Sequence, residues 1–359
     1  MSVSAIDCVQ PAIRHVREQL FARFRWGQWS RLALVGILAA ELHVGGCNFG
    51  RAFSRTQRNG HDIPVFHPPH IDPARIGQFL GLFLFAVLLV IVLGFVLLYI
   101  NSVFRFMLFD SVLRRKCSIS EGWRHWHRAG GRFFLWQLVF HISAGLFFAF
   151  LIGVPLAMAA TAGWITNPLE HVGRLAGGVI LLIGAVLIFA LLAAAVQVLA
   201  RDFLVPIMAL EGLDFADGWN RLLALISPEP GKYVVYLLLK LVLAIVAAIL
   251  FGILSVIPIL AIVLPVVTAV LLAKGAGLVW SVTTISLAVI FGTVLLLGVI
   301  YLIALVSVPA IVFFPAYSIY FFAARYPNLN LLLNPTPVPP PPESPPLPLT
   351  PPPSPEPIG

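Results

Sequence analysis

Long apolar runs separated by short polar stretches dominate the chain. A helix crosses about 30 Å of hydrocarbon with roughly 20 residues at 1.5 Å rise. Five runs meet that length: Gln78–Ile100, Phe133–Ala160, Gly177–Leu199, Tyr233–Leu254 and Leu278–Val308. A sixth, Ile257–Lys274, is as apolar but holds Pro258 and Pro265. Proline removes a helical N–H and crowds the preceding turn, so this run is expected to be broken or re-entrant. Leu32–Gly46 is the weakest, because its clean apolar stretch ends at Ala40, before Glu41 and His43. It reads either as a short first span or as an amphipathic helix lying in the interface. The pattern predicts an all-α polytopic bundle of about six spans with interfacial linker helices.

Charge placement orients that bundle. The stretch 101–132 holds Arg105, Arg114, Arg115, Lys116, Arg124, Arg128 and Arg132 against Asp110 and Glu121 only, whereas 161–176 has one basic residue, Arg174. Basic linkers stay on the cytoplasmic side, so 101–132 and 201–232 are expected inside and 161–176 outside. The N-terminal arginines Arg14, Arg17, Arg23, Arg25 and Arg31 join the inside set if Leu32–Gly46 crosses. Residues 51–75 then lie outside, where Arg51, Arg55 and Arg58 run against the rule. The reading is of an inner-membrane, multi-pass protein with a cytoplasmic N-terminus. Residues 1–31 form a cytoplasmic or interfacial segment and 32–325 the membrane domain.

Composition narrows the class. Of 359 residues 60% are hydrophobic and 11% charged, against about 25% charged in a soluble domain. An ordinary soluble enzyme, a disordered regulator and a coiled coil are excluded. Three dispersed cysteines (Cys8, Cys47, Cys117) make no disulfide framework, and no cleavable signal is evident. From Pro335 to Gly359, 14 of 25 residues are proline. Such a tail is expected to be a disordered, extended segment. It either simply solvates the chain end or docks an aromatic groove on a protein partner.

A shift of 96 residues superposes the two basic linkers. Arg105 falls on Arg201, Leu108 on Leu204, and Ser118-Ile-Ser-Glu-Gly-Trp123 on Asp214-Phe-Ala-Asp-Gly-Trp219. The spans before them fall into step, so a duplicated helix–linker–helix unit over 78–160 and 177–254 is expected. Ser118 and Asp214 are placed to cap helix N-termini, with Glu121 and Asp217 completing capping boxes. The short helices after them read as interfacial, with Gly130-Gly131 and Pro228–Gly231 turning the chain back into the bilayer. Lipid or interface contacts are assigned to Trp123, Arg124, Trp126, Arg128, Arg132, Trp219 and Arg221. Two readings fit them: recognition of anionic head groups, or plain anchoring by a basic-aromatic mixture.

Little else suggests chemistry. His61, His67 and His70, with Cys47 upstream, are zinc-type ligands at no established spacing, and a polar His-rich loop explains them better. Gln137 and His141 stand one turn apart and form a possible intramembrane polar site. Lys240 is expected to snorkel to the inner interface, and no acidic residue lies within the confident spans to pair with it. No phosphate-binding glycine loop, His-Glu-x-x-His pair or Gly-x-Ser-x-Gly elbow is present. No catalytic residue, metal ligand or cofactor is assigned. Basic residues flanking spans need no nucleic acid to explain them.

Short motifs carry one family likeness. They are Arg25-Trp26 with Trp29 and Arg31, Ser102-Val-Phe-Arg-Phe106 with Asp110-Ser111, Arg201-Asp-Phe-Leu-Val-Pro206-Ile-Met208, and Phe313-Phe-Pro-Ala-Tyr-Ser-Ile-Tyr320. Over roughly residues 20 to 325 the chain resembles an uncharacterised family of prokaryotic multi-span proteins. That family is related to the membrane domain of some glycerophosphoryl diester phosphodiesterases. The resemblance implies about six spans in an inner membrane and no established activity; the catalytic phosphodiesterase domain has no counterpart here. Function is expected to be that of a non-enzymatic scaffold or accessory protein contacting inner-leaflet lipids. The alternative is a transporter or lipid-translocating protein with a path between the duplicated units.

Overall fold

The computed structural model describes residues 4–22, 24–39, 73–164, 171–275 and 282–333, and these residues form helices and turns with no strand. Helix α1 (Val9–Val16) runs into a π-helical turn (Arg17–Phe21), followed by α2 (Trp26–Leu38). Then come α3 (Pro73–Leu113), α4 (Ile119–Thr161) and α5 (Val172–Leu199), which passes through a second π-helical turn (Ala200–Leu204) into α6 (Val205–Glu211). The chain closes with α7 (Phe215–Ile226), α8 (Pro230–Gly275), α9 (Val282–Ala323) and α10 (Pro327–Leu333).

Among the described residues five helical runs are long and apolar enough to cross a membrane: α3, α4, α5 with α6, α8 and α9. The most apolar 18-residue window of four of them buries nothing against protein, and that of α9 only 6%. Leu82, Phe83, Leu88, Ile180, Leu181 and Ile290 all face outward. Such surface is stable only with lipid as its solvent. The packed core lies instead where the helices carry their basic residues. There Phe106, Phe133, Phe203, Tyr236, Tyr317, Phe321 and Phe322 are fully buried. Tyr236 stacks on Tyr317 at 5.1 Å, and Phe203 meets Tyr236 and Phe322 at 5.0 and 5.1 Å. Burying each such ring contributes about 1.5–3 kcal/mol.

Helix α1 belongs to this core. Cys8, Ala12, Val16 and Leu20 recur every fourth residue and are buried, which is the spacing of one helical face. The last turn of α3 leaves carbonyls without intrahelical partners, and α1 supplies donors for them. His15 Nε2–H donates to the Val112 carbonyl (3.0 Å) and the Gln19 amide to that of Ser111 (3.2 Å). Because Val112 O can only accept, the other ring nitrogen of His15 accepts from the Tyr320 hydroxyl, 3.3 Å away on α9. The end of α2 is closed in the same way: Asn101 donates to Leu38 O (3.2 Å) and Arg105 to Ala39 O (2.7 Å).

Several expectations change. The described helix over the proposed first span is α2, which starts at Trp26 and ends at Leu38. Its 13 residues rise about 20 Å, short of a bilayer; residues 40–46 lie outside those described. Tyr233–Leu254 and Ile257–Lys274 are one helix, α8, with Pro258 and Pro265 inside it rather than a break. Pro309 shows how such a proline is accommodated. It frees the carbonyl of Leu305, one turn back, and the Trp29 indole N–H donates to that carbonyl at 2.9 Å.

Gly130-Gly131 does not turn the chain; α4 runs straight through it. Gly130 lets α4 touch α3, since a β-carbon there would lie 2.6 Å from Val103 Cγ2 and 2.8 Å from its Cα. The first linker helix is therefore the start of α4, whereas the second is separate as α7, ended before Pro228 and Pro230. The helix starts fall at Ile119 and Phe215, 96 residues apart like the sequence motifs. Gly122 and Gly218 occupy matching places: a β-carbon would meet Met107 Cε at 3.0 Å in one and Leu204 Cδ1 at 2.9 Å in the other. Ser118 and Asp214 take the extended N-cap backbone, but neither side chain caps. The Asp214 carboxylate faces Arg132 instead.

Candidate functional site

Two polar constructions stand at the basic end of the helices. The first is a charged pair in the core. The π-helical turn after α5 forms where Pro206 lacks an N–H, and the Val205 N–H reaches back five residues to Ala200 O. This turn carries Arg201 and Asp202. Lys240 of α8 lies 2.7 Å from Asp202 Oδ1, and the Tyr236 hydroxyl donates to Oδ2 at 2.7 Å. Both charges are largely buried, their side chains 17% and 9% exposed. Lys240 therefore does not snorkel. The expectation of no acidic partner fails because Asp202 was counted with the linker, whereas the helix carries it inward.

The second is an open bowl of about 960 Å³ where α2, the 114–118 turn and the start of α4 meet. Arg25 and Arg31 line it from α2 and its N-cap, Arg114 and Lys116 from the turn, Asp110 from α3, and Glu121 and His125 from α4. Arg114 pairs with Asp110 at 2.6 Å. Arg25, Arg31, Lys116 and Glu121 form no ion pair among the described residues. The turn is held from behind: Arg115 takes a left-handed backbone (φ 57°), pairs with Glu18 at 2.9 Å, and its carbonyl accepts from Gln28 at 3.1 Å. Cys117 lies in the wall, and burial raises its thiol pKa.

The equivalent turn of the second unit is filled. Arg132 donates to Gly212 O (3.1 Å) and to Asp214 Oδ1 (2.8 Å) across that turn. Glu211 accepts from the Tyr326 hydroxyl beside α10 and faces Arg221 at 3.8 Å. Arg132 and Arg221 are therefore occupied by protein partners. Trp219 is half-buried, stacked on Trp136 at 6.2 Å.

The other residues assigned from sequence divide. Arg124 and Arg128 are exposed on the first turns of α4 and do not line the bowl. Trp123 is 36% exposed, with its edge against Tyr99 and Phe104. Trp126 is not at the surface; it is buried and stacked on Phe106 at 5.7 Å, because its position faces α3. Gln137 is buried and accepts from the Ser102 hydroxyl at 2.6 Å, while His141 faces outward with Nδ1–H on the Gln137 carbonyl at 2.6 Å. These two satisfy each other and their neighbours and line none of the cavities described. His61, His67, His70 and Cys47 lie outside the described residues, as does 335–359. Among the described residues no group of three His, Cys, Asp or Glu could hold a metal.

Five long lipid-facing helices on a packed polar-aromatic base define an integral, multi-pass membrane protein in contact with lipid. The chain belongs to a family of unknown function, DUF7544, whose model matches residues 3–332. No curated protein and no solved structure matches it.

Proposed function

We propose that this protein is a non-enzymatic scaffold or accessory protein that holds anionic lipid head groups at the inner leaflet of a cell membrane. The observation that carries the reading is the bowl: four cations from α2 with its N-cap and from the 114–118 turn converge on it, and three of them have no ion-pair partner among the described residues. Arg124 and Arg128 extend the same positive surface. Each such charge near an anionic leaflet contributes roughly 1 kcal/mol of attraction. The positive-inside rule supports placing this end, and with it the N-terminus, in the cytoplasm. Helix α10 ends at Leu333 near the same end, so a partner bound by the proline-rich tail would meet this protein there. The kinship with the membrane domain of glycerophosphoryl diester phosphodiesterases is part of the same proposal.

Lipid translocation is the second reading, and the Lys240–Asp202 pair is the observation on its side, since ionisable groups at membrane depth mark pathways. Against it, His141 faces outward and the bowl lies at one end of the helices. The deciding measurement is lipid retention by native mass spectrometry after extraction from mixed anionic and neutral membranes. The wild type should retain anionic lipid, and a combined Arg25→Gln, Arg31→Gln, Arg114→Gln and Lys116→Gln variant should lose most of it. Equal retention by the two proteins would sink the proposal.

A further inference from the structure

The bowl is not uniformly positive, and that mixture carries information about its ligand. Asp110 and Glu121 share its wall with Arg25, Arg31, Arg114 and Lys116. A bare phosphate gains nothing from carboxylates, which repel it and offer no donor. A carboxylate left unpaired in an anion site is useful only to a ligand that also carries hydroxyl or amine donors. An amine would have to sit among four cations, which leaves hydroxyls. Two serine hydroxyls, Ser111 and Ser118, add acceptors and donors to the same wall. A volume of about 960 Å³ also exceeds what one phosphate fills.

We infer that the bowl takes a phosphodiester head group bearing free hydroxyls, of the phosphatidylglycerol or phosphatidylinositol kind, in preference to phosphatidic acid. The cations meet the phosphate, and Glu121 accepts from a head-group hydroxyl. Glu121 is the free acceptor of the two carboxylates, because Asp110 is already engaged by Arg114 at 2.6 Å. It sits in the first turn of α4, on the wall of the bowl. The inference rests on the bowl being the head-group site, and the site could draw the same chemistry from a lipid or from a soluble phosphate ester. The lipid is the assigned source, because the bowl opens beside helices whose apolar faces require a bilayer.

The test uses the full chain in phosphatidylcholine nanodiscs doped at equal mole fraction with phosphatidic acid, phosphatidylglycerol or phosphatidylinositol. Bound dopant is measured by native mass spectrometry. Wild type should favour the two hydroxylated lipids over phosphatidic acid by about tenfold, the worth of one charge-assisted hydrogen bond. In Glu121→Gln, an exposed substitution, that preference should fall to within about threefold through weaker retention of the two hydroxylated lipids, since an amide accepts more weakly. A wild type that binds phosphatidic acid as well as the others would overturn the hydroxyl assignment and leave the basic bowl standing. An unchanged preference in Glu121→Gln would do the same. A four-cation variant that keeps all its lipid would overturn the bowl itself. In detergent, glycerol 1-phosphate or inositol 1-phosphate binding as tightly as the lipids would overturn the lipid source.

Discussion

Removing Lys240 isolates the energetics of the core. At 2.7 Å and an effective dielectric near 20, the Lys240–Asp202 attraction amounts to about 6 kcal/mol gross. Most of that is offset by the cost of taking both charges out of water, so the pair itself is close to neutral for stability. Lys240→Met is different, because it leaves Asp202, only 9% exposed, with the Tyr236 hydroxyl as its remaining donor. Breaking one side of a buried pair costs about 3–5 kcal/mol. For a chain of this size that converts to an apparent melting temperature lower by roughly 4–7 °C. The double variant Lys240→Met with Asp202→Asn removes the stranded charge and should recover most of the loss. The assay is thermal unfolding in detergent for wild type, both singles and the double, read as a double-mutant cycle. If the double variant melts no higher than Lys240→Met, the two residues are not coupled and the account of this core is wrong.

Two further outcomes follow from the geometry. Gly130→Ala should lower the melting temperature, since its β-carbon meets Val103 backbone and overpacking costs about 1–3 kcal/mol. Gly131→Ala, whose nearest neighbour is 3.9 Å away, should be neutral or slightly stabilising by up to about 1 kcal/mol; equal effects at both would refute the close α3–α4 contact. The third concerns pH. Burial, and after it the Arg115 guanidinium, holds the His15 pKa below its ordinary value of 6.5. The unfolded chain then takes up its proton first, so the contribution of His15 is complete above 6.5 and declines as pH falls through 6.5 toward the folded value. The wild-type melting temperature should drop over that window more steeply than that of His15→Gln, and parallel curves would refute it.

The membrane helices were legible because lipid selects on composition alone, so five apolar runs named five helices. Their ends were less so. Hydropathy treats Gly130-Gly131 as a turn, whereas only the neighbouring helix shows that Gly130 is a point of contact. Pro258 and Pro265 read as breakers, yet a long helix absorbs a proline when another group takes the freed carbonyl, as Trp29 does for Leu305. The Arg-rich linkers lie at the end of the molecule that holds the bowl. The bowl itself draws Arg25 and Arg31 from α2 and its N-cap, some 85 residues before the 114–118 turn, and a linear scan of the linker cannot reach them. Asp202 was hidden for a related reason, since its charge fixed it to the linker when the helix continued past it. Helix α1 did leave a trace, in the four-residue spacing of Cys8, Ala12, Val16 and Leu20 among arginines.

His15 joins the carbonyl of Val112 to the hydroxyl of Tyr320, residues contributed by the first and the last long helices of the chain. A ribosome delivers α1 before either. Its donors can therefore meet the last carbonyls of α3 at once, while the Tyr320 half of the contact exists only after α9 has arrived. A protein truncated before α9 would therefore lack the Tyr320 half of this contact and leave part of the Cys8, Ala12, Val16 and Leu20 face uncovered.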